Sequence, residues 1–227
     1  MNLTLEDDGV EIIEGVYSQV ELDKILAAIE SEGIQNKFGI REFLSTNPRI
    51  ARLVFTDGLI ELIERISPSC SKSIKSIYFD KPPHSNWVVN WHQDLTINLK
   101  NRTEATDFKN WRETKDRIVV QPDKPLLDSI FTIRIHLDDC TKDNGALRII
   151  RQSHKKGIIE ISDWLKHKEG EEVICELNKG GVVLMKPLTL HSSRRTENDR
   201  KRRVIHIEFT NQELPNELEW KESIEFR

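Results

Sequence analysis

A histidine and a carboxylate stand two residues apart at three places in this sequence. These pairs are His92/Asp94, His136/Asp138 and His206/Glu208. Side chains two residues apart in a β-strand point to the same face, so each pair could bind one metal ion. Chance and ordinary cross-strand pairing supply such pairs easily in a chain with 7 His and 38 acidic residues. The spacing alone therefore selects none of them.

The pair His92/Asp94 has the fewest structural explanations. In the second pair, Asp138 runs into a turn, where Asp commonly accepts hydrogen bonds from backbone donors. The third pair shares a strand with basic residues, so mutual pairing is sufficient to explain it. Asp94 lies in the largely apolar stretch WHQDL (residues 91–95), where a buried carboxylate without a partner would be costly. A metal ion is a natural partner for this carboxylate.

A third ligand is available downstream at His191, which follows an apolar stretch and precedes a basic cluster. Two imidazoles and one carboxylate, with coordination positions left open, favour non-haem Fe(II) that also binds a chelating cosubstrate and O₂. A dicarboxylate cosubstrate would need a cation for its far end. Arginine suits this role best because its planar fork binds a carboxylate through two hydrogen bonds.

Two alternating stretches are predicted to be the strands that position such side chains. Residues 130–138 (IFTIRIHLD) and 202–209 (RRVIHIEF) each place apolar side chains on one face and ionisable side chains on the other. This pattern suits an antiparallel sheet folded over helices, with the polar faces turned to water or to a wet pocket. A further strand, residues 180–191, is predicted to end at His191.

Tight-turn residues and helix signals complete the predicted elements. The turn at residues 143–145 (DNG) predicts a hairpin that joins the strand at 130–138 to residues 146–150. Ser18 and Glu21 fit a capping box, and apolar residues with helical spacing follow them. The same spacing predicts a helix that starts at Pro48 and another that contains Leu59, Leu62, Ile63 and Ile66.

Residues 99–128 form a long, charged stretch with little periodicity and room for one short strand at residues 118–120. Loops of this length are usually functional lids or disordered segments, and both interpretations stay open.

Bulk properties indicate a soluble globular protein. The chain has 227 residues and a net charge of −4, with 34 basic and 38 acidic residues, so nothing calls for nucleic acid or a membrane as partner. The N-terminus is acidic and no apolar run could span a bilayer. Three cysteines without metal-site spacing favour a reducing compartment, so we expect a cytoplasmic protein.

Three sequence blocks, in this order, carry a resemblance to a known family. They are WHQD (residues 91–94), LDDCTKDNGALRIIRQSH (137–154) and LHSSRRTENDRKRR (190–203). Over roughly residues 74–210 the chain resembles the phytanoyl-CoA dioxygenase family of Fe(II)/2-oxoglutarate-dependent oxygenases. It departs from the family where residues 152–154 read Gln-Ser-His in place of Gly-Ser-His or Gly-Thr-His.

The resemblance implies a mainly β fold, a double-stranded β-helix (jelly roll) with flanking N-terminal α-helices. We expect residues 1–227 to form one oxygenase domain. Its expected parts are a helical N-terminal region (1–73), the jelly-roll core (74–210), a lid or insertion within it (99–128) and a tail (211–227).

Matched position by position, the resemblance also implies roles for individual residues. His92, Asp94 and His191 match the family's metal ligands, and Arg202 and Ser193 match the residues that bind the distal carboxylate of 2-oxoglutarate. Arg203 is the alternative to Arg202, but it shares the apolar face of its strand. Two further positions near the cosubstrate are matched more weakly, namely Lys81 and Gln93. Candidate residues for the substrate or the surroundings of the metal are Arg134, His136 and Trp111.

The implied activity is hydroxylation of a small organic molecule, with Fe(II), 2-oxoglutarate and O₂ as cofactors and succinate and CO₂ as products. Because Asp94 is present, the halogenating relatives, which have a small residue there, are disfavoured. Two alternatives remain open: a cupin-like metal protein or dioxygenase that does not use 2-oxoglutarate, and a non-catalytic ligand-binding jelly roll. Substrate identity and oligomeric state stay open as well.

Overall fold

The structure, a computed structural model, describes residues 3–34, 39–81, 88–103, 107–163, 170–215 and 217–227. Five of the six α-helices described lie in the N-terminal third of the chain. The helices are α1 (Leu5–Asp8), α2 (Gln19–Ser31), α3 (Phe43–Thr46), α4 (Pro48–Val54), α5 (Asp57–Ile66) and α6 (Lys124–Ser129).

The β-strands run through the whole chain. They are β1 (Val10–Ile13), β2 (Ile40–Arg41), β3 (Lys72–Lys81), β4 (Val89–His92), β5 (Ile97–Leu99), β6 (Lys109–Glu113), β7 (Ile118–Gln121), β8 (Phe131–His136), β9 (Leu147–Ile150), β10 (Glu172–Cys175), β11 (Val182–Met185), β12 (His191–Ser193), β13 (Arg202–Phe209) and β14 (Ile224–Glu225).

Two antiparallel sheets form the core. The larger sheet has seven strands in the order β1-β11-β8-β13-β3-β14, with β2 also paired to β3. The smaller sheet has four strands in the order β10-β9-β12-β4. Apolar side chains of both sheets meet in one cluster, in which Val183 and Met185 of the larger sheet pack with Leu147 and Ile149 of the smaller one. This arrangement confirms the predicted mainly β jelly roll.

Alternation along the strands of the larger sheet separates its two faces. Ile133 of β8 and Ile205 of β13 pack against helical residues such as Ile25, in the largest apolar cluster of the described residues. The intervening side chains, among them Arg134 and His206, point to the opposite face, because successive strand residues alternate. The ionisable faces predicted from the sequence therefore lie between the two sheets.

Helices α2 and α4 begin where the sequence signals place them. Ser18 and Glu21 form the predicted capping box, in which the Ser18 backbone N–H donates to Glu21 Oε2 at 2.7 Å. Pro48 opens α4, and Thr56 caps α5. The N-terminal region is not purely helical, however, since β1 forms an edge of the larger sheet.

The described part of residues 99–128 contains regular secondary structure. Strands β5, β6 and β7 build a third antiparallel sheet, and α6 follows it. The stretch looked aperiodic because its strands are short and their exposed residues are charged. An apolar cluster that includes Phe108, Val120 and Leu126 holds the sheet in place.

Two strand predictions are wrong in their pairing. Strands β8 and β9 do not form a hairpin, since β8 lies in the larger sheet and β9 in the smaller one. The turn at residues 143–145 carries the chain from one sheet to the other, and Gly145 makes it possible with a φ of 82°. The stretch 180–191 is likewise two strands, β11 and β12, so that His191 begins a strand and does not end one.

The C-terminal segment 211–227 is part of the packed structure in its described residues. Strand β14 pairs with β3, and Trp220 bridges to Leu99 of the third sheet. The buried Glu222 accepts a hydrogen bond from the backbone N–H of Ser76 at 2.6 Å. None of the described helices is long and apolar enough to cross a membrane.

Candidate active site

His92, Asp94 and His191 come together at the inner face of the smaller sheet. His92 and His191 are register partners on β4 and β12, and their ring centroids lie 4.1 Å apart. Asp94 lies between them, with its Oδ1 3.8 Å from His92 Nε2 and its Oδ2 3.7 Å from His191 Nε2. One ligand atom from each residue lies within 4.8 Å of the other two.

The other ring nitrogen of each histidine is bound to the backbone. His92 Nδ1 donates to the carbonyl of Asn90 at 2.8 Å, and His191 Nδ1 donates to the carbonyl of Thr189 at 2.8 Å. A carbonyl only accepts, so each Nδ1 carries the proton and each Nε2 presents a lone pair. Metal-binding histidines are commonly fixed in this way through their second nitrogen.

Burial and charge favour the protonation states that a metal requires. Burial lowers the pKa of His191 to about 4, so this imidazole is neutral near pH 7. Burial alone would raise the pKa of Asp94, but His191 and Lys75 together hold it below its ordinary value. A neutral imidazole and an ionised carboxylate are the forms that bind metal. The donor set thus fits a non-haem iron centre of the two-His, one-carboxylate type.

A cavity of about 280 Å³ opens beside this cluster. Arg202 and Ser193 line it, and both side chains are buried. Arg202 Nε and Nη1 have no hydrogen-bond partner among the described residues. A buried guanidinium in this state is set up to bind an anion, because buried charges are normally paired.

Arg203 forms an ion pair with Asp138. Its Nε and Nη2 donate to the two carboxylate oxygens of Asp138, at 2.8 and 2.6 Å. The alternation of β13 thus turns Arg202 into the cavity and Arg203 toward Asp138, just past the end of β8.

Lys81 lies behind Ser193. Its Nζ donates to Ser193 Oγ at 3.2 Å and to the carbonyl of Arg194 at 3.0 Å. Burial, together with the charges of Arg202 and Arg134, lowers the pKa of Lys81 to about 7. The ammonium therefore lies against Ser193 of the cavity wall and titrates near neutrality.

Gln93 does not lie where the family resemblance places it. Its Nε2 donates to the carbonyls of Gly157 and Leu188, at 2.8 and 2.7 Å, and its Oε1 accepts from the backbone N–H of Ile159 at 2.8 Å. Strand alternation turns this side chain away from the face that carries His92 and Asp94. Gln93 ties loops together and is not among the residues that line the cavity.

The three candidate substrate residues also differ in whether they line the cavity. Arg134 lines the cavity. His136 is fully buried outside the cavity lining, and burial holds its pKa well below its ordinary value. Trp111 packs on Phe108 in the third sheet, with ring centroids 6.2 Å apart, and it does not line the cavity either.

His206 and Lys75 also line the cavity, although neither was predicted to do so. Arg134 Nη1 donates to His206 Nδ1 at 3.0 Å, and His206 Nε2 lies 3.2 Å from Glu208 Oε1. Lys75 forms an ion pair with the same carboxylate at 2.7 Å. His206, Glu208 and Asp94 are also close enough to hold a metal, but Lys75 and Arg134 already satisfy this group. The spacing of His206 and Glu208 was a usable signal, whereas no local pattern marks Lys75.

A jelly roll with two histidines and a carboxylate at its inner face, and a buried arginine in the same cavity, defines the class of non-haem iron oxygenases. The model of the family described as phytanoyl-CoA dioxygenase (PhyH) matches residues 5–204. The chain belongs to this family, which confirms the resemblance and the cofactor class of iron, 2-oxoglutarate and O₂. No curated protein matches the sequence.

Solved structures share the fold at low sequence identity. SnoK, a non-heme alpha ketoglutarate dependent carbocyclase from nogalamycin biosynthesis, has a TM-score of 0.70 and 16% identity over 92% of this chain and 84% of its own. The epimerase SnoN, in complex with Fe3+, alpha ketoglutarate and nogalamycin RO, has a TM-score of 0.70 and 14% identity over 91% and 80%. EctD from S. alaskensis has a TM-score of 0.67 and 16% identity over 91% and 74%.

Proposed function

We propose that this protein hydroxylates a small organic molecule and converts 2-oxoglutarate to succinate and CO₂ in the same turnover. The observation that carries the proposal is the convergence of His92, Asp94 and His191 beside a cavity that also contains Arg202. In this proposal residues 1–227 act as one oxygenase domain, and residues 99–128 are a lid or insertion within it.

His92 and His191 would hold iron through Nε2, and Asp94 would hold it through its carboxylate. Their backbone hydrogen bonds fix both imidazole rings, so the donor atoms are arranged before the metal arrives. The iron supplies O₂ activation when it is bound. The remaining residues bind and orient the cosubstrate and the substrate.

Arg202 would bind the distal carboxylate of 2-oxoglutarate, with Ser193 donating a further hydrogen bond. Lys81 holds the Ser193 hydroxyl from behind, at 3.2 Å, and adds positive charge to this wall. A guanidinium fork in this position favours a dicarboxylate over a monocarboxylate, because only a dicarboxylate has a second carboxylate at the end away from the metal.

Anaerobic titration with Fe(II) and 2-oxoglutarate tests the proposal. The intact protein should develop a metal-to-ligand charge-transfer band, and His92→Ala should abolish it. His154→Ala is the matched control, since His154 bonds the backbone of Glu6 outside the cavity. Absence of the band in the intact protein would contradict the proposal. Iron binding without a spectral response to 2-oxoglutarate would favour a cupin-like dioxygenase.

The outcome of the oxidation needs its own measurement, because the similar structures include an epimerase and a carbocyclase. A succinate-release screen across small metabolites would identify turnover. Mass spectrometry of the product then separates the cases: hydroxylation adds one oxygen atom, epimerisation leaves the mass unchanged, and ring closure removes two hydrogen atoms. Turnover without added oxygen would contradict the hydroxylase assignment.

A further inference from the structure

Arg41 is a cavity residue that the iron and 2-oxoglutarate sites do not use. It lies on the two-residue strand β2, opposite Ile77 of β3, and both residues line the cavity. Arg41 is exposed on its outer side. Its guanidinium makes no hydrogen bond and no ion pair with a described residue. A positive charge that has no partner among the described residues thus lies at the mouth of the cavity.

A second guanidinium, that of Arg117, adds to this charge. Burial lowers the pKa of Arg41, and repulsion from Arg117 lowers it further. Glu208 acts in the opposite direction, but its carboxylate already pairs with Lys75 at 2.7 Å. Arg117 Nε is itself buried without a hydrogen-bond partner among the described residues. An anion bound beside Arg41 would be favoured by the charge of both guanidinium groups.

The charges of the cavity do not balance even with metal and cosubstrate present. The two positive charges of Fe(II) cancel the two negative charges of 2-oxoglutarate. The lining then contributes four basic side chains, Arg41, Lys75, Arg134 and Arg202, against the carboxylates of Asp94 and of Glu208, which pairs with Lys75. Among the described residues an excess of two positive charges remains. Arg134 is buried and bonds a neutral acceptor, His206 Nδ1, so its charge is part of this excess.

We propose that the substrate carries an anionic group, a carboxylate or a phosphate, and that Arg41 binds this group at the mouth of the cavity. The inference rests on the proposed function, because it assigns the substrate class of the same site. Ile77 and Phe79 lie on the cavity wall next to Arg41 and offer apolar contact to the adjoining part of the molecule. The substrate is thereby oriented with its charge outward and its apolar carbon atoms toward the metal.

Binding of charge-matched probes tests the inference. Protein loaded with Zn(II) and saturating 2-oxoglutarate would be titrated calorimetrically with hexanoate, hexyl phosphate and hexanamide. Saturation with 2-oxoglutarate keeps the probes away from Arg202. At least one anionic probe should bind about tenfold more tightly than hexanamide, the gain expected from a charge-assisted hydrogen-bonded pair. The tighter of the two anions identifies the group.

Arg41→Gln should remove this preference and leave hexanamide binding and the affinity for 2-oxoglutarate unchanged. Arg41→Lys should retain part of it. Arg112→Gln is the matched control, since Arg112 is an exposed residue of the third sheet that does not line the cavity. Equal affinity of the three probes, or a preference for an anionic probe that survives Arg41→Gln, overturns the inference. If the parent protein binds 2-oxoglutarate in the same experiment, the proposed function is unaffected by that result. Failure of the parent protein to bind 2-oxoglutarate overturns both.

Discussion

His92 and His191 face each other as register partners on adjacent antiparallel strands, with ring centroids 4.1 Å apart. The backbone hydrogen bonds of β4 and β12 therefore set the distance between the two imidazoles, although the residues are far apart in sequence. The register shifts between His191 and Ser193, so a bulge follows directly after the second histidine. The positions of the two histidine ligands are thus set by strand pairing and not by a flexible loop.

Replacement of either histidine should remove metal binding without unfolding the protein. We expect His191→Ala to reduce Fe(II) affinity by more than the roughly 10–100-fold that is typical of losing an outer-shell partner. Metal content after dialysis, measured by mass spectrometry, checks this. His154→Ala should keep full metal content, and an iron-replete His191→Ala protein would contradict the assignment of the ligands.

Arg202 and Arg203 are neighbours that should respond differently to the same substitution. Arg202→Gln should weaken 2-oxoglutarate binding at least about thirtyfold, because losing one partner of a buried charge pair costs about 2 kcal/mol or more. Arg203→Gln should leave the 2-oxoglutarate affinity unchanged and cost about 1–2 kcal/mol of folding stability, since it breaks the two hydrogen bonds to Asp138. Calorimetric titration and chemical denaturation separate the two effects. A larger loss of affinity in Arg203→Gln would reverse the roles.

The sequence was sufficient for features that depend on local periodicity. Alternation in β8 and β13 predicted which residues form the apolar face and which the ionisable face, including the different directions of Arg202 and Arg203, but it left open whether the ionisable face meets water or a pocket. The order of the three motif blocks predicted the family. These features follow from the two-residue repeat of a strand and from spacing along one chain.

Features that depend on long-range pairing were not predictable in this way. The sequence pattern showed that β8 and β9 are strands. The sheet that each strand joins depends on partner strands that are distant in the sequence, so the hairpin prediction was wrong. Gln93 stands between two metal-ligand candidates, yet its partners are the backbones of Gly157, Ile159 and Leu188. Lys75 pairs with Glu208, 133 positions away, and nothing near either residue signals it.

Cosubstrate binding should depend on pH through Lys81. The pKa of this ammonium in the free protein is about 7, and a bound carboxylate would raise it because the opposite charge favours the protonated form. Binding then takes up a proton above pH about 7, so the affinity for 2-oxoglutarate should fall as the pH rises from about 7 toward 9. Calorimetry in two buffers of different ionisation enthalpy measures the proton uptake.

Lys81→Met is the control for that titration. It removes the titrating group, so the affinity should be weaker at pH 7 and nearly independent of pH above it. An unchanged pH profile in Lys81→Met would show that another group takes up the proton.

Gln93 should contribute to stability and not to cosubstrate binding. Its amide is buried and makes three hydrogen bonds to backbone groups, and the two that join Leu188 and Ile159 are buried as well. Gln93→Ala leaves these groups without partners, so we expect a loss of about 2–4 kcal/mol and a decrease in Tm of about 5–12 °C. At a temperature where the variant is folded, its affinity for 2-oxoglutarate should stay within about threefold of the parent, since a residue outside the cavity loses no contact with the ligand.

Gln19→Ala is the matched control: this exposed side chain bonds only Asp23 on the surface of α2, and its loss should change stability by no more than about 0.5 kcal/mol. A stable Gln93→Ala protein with strongly weakened 2-oxoglutarate binding would return Gln93 to the cosubstrate site.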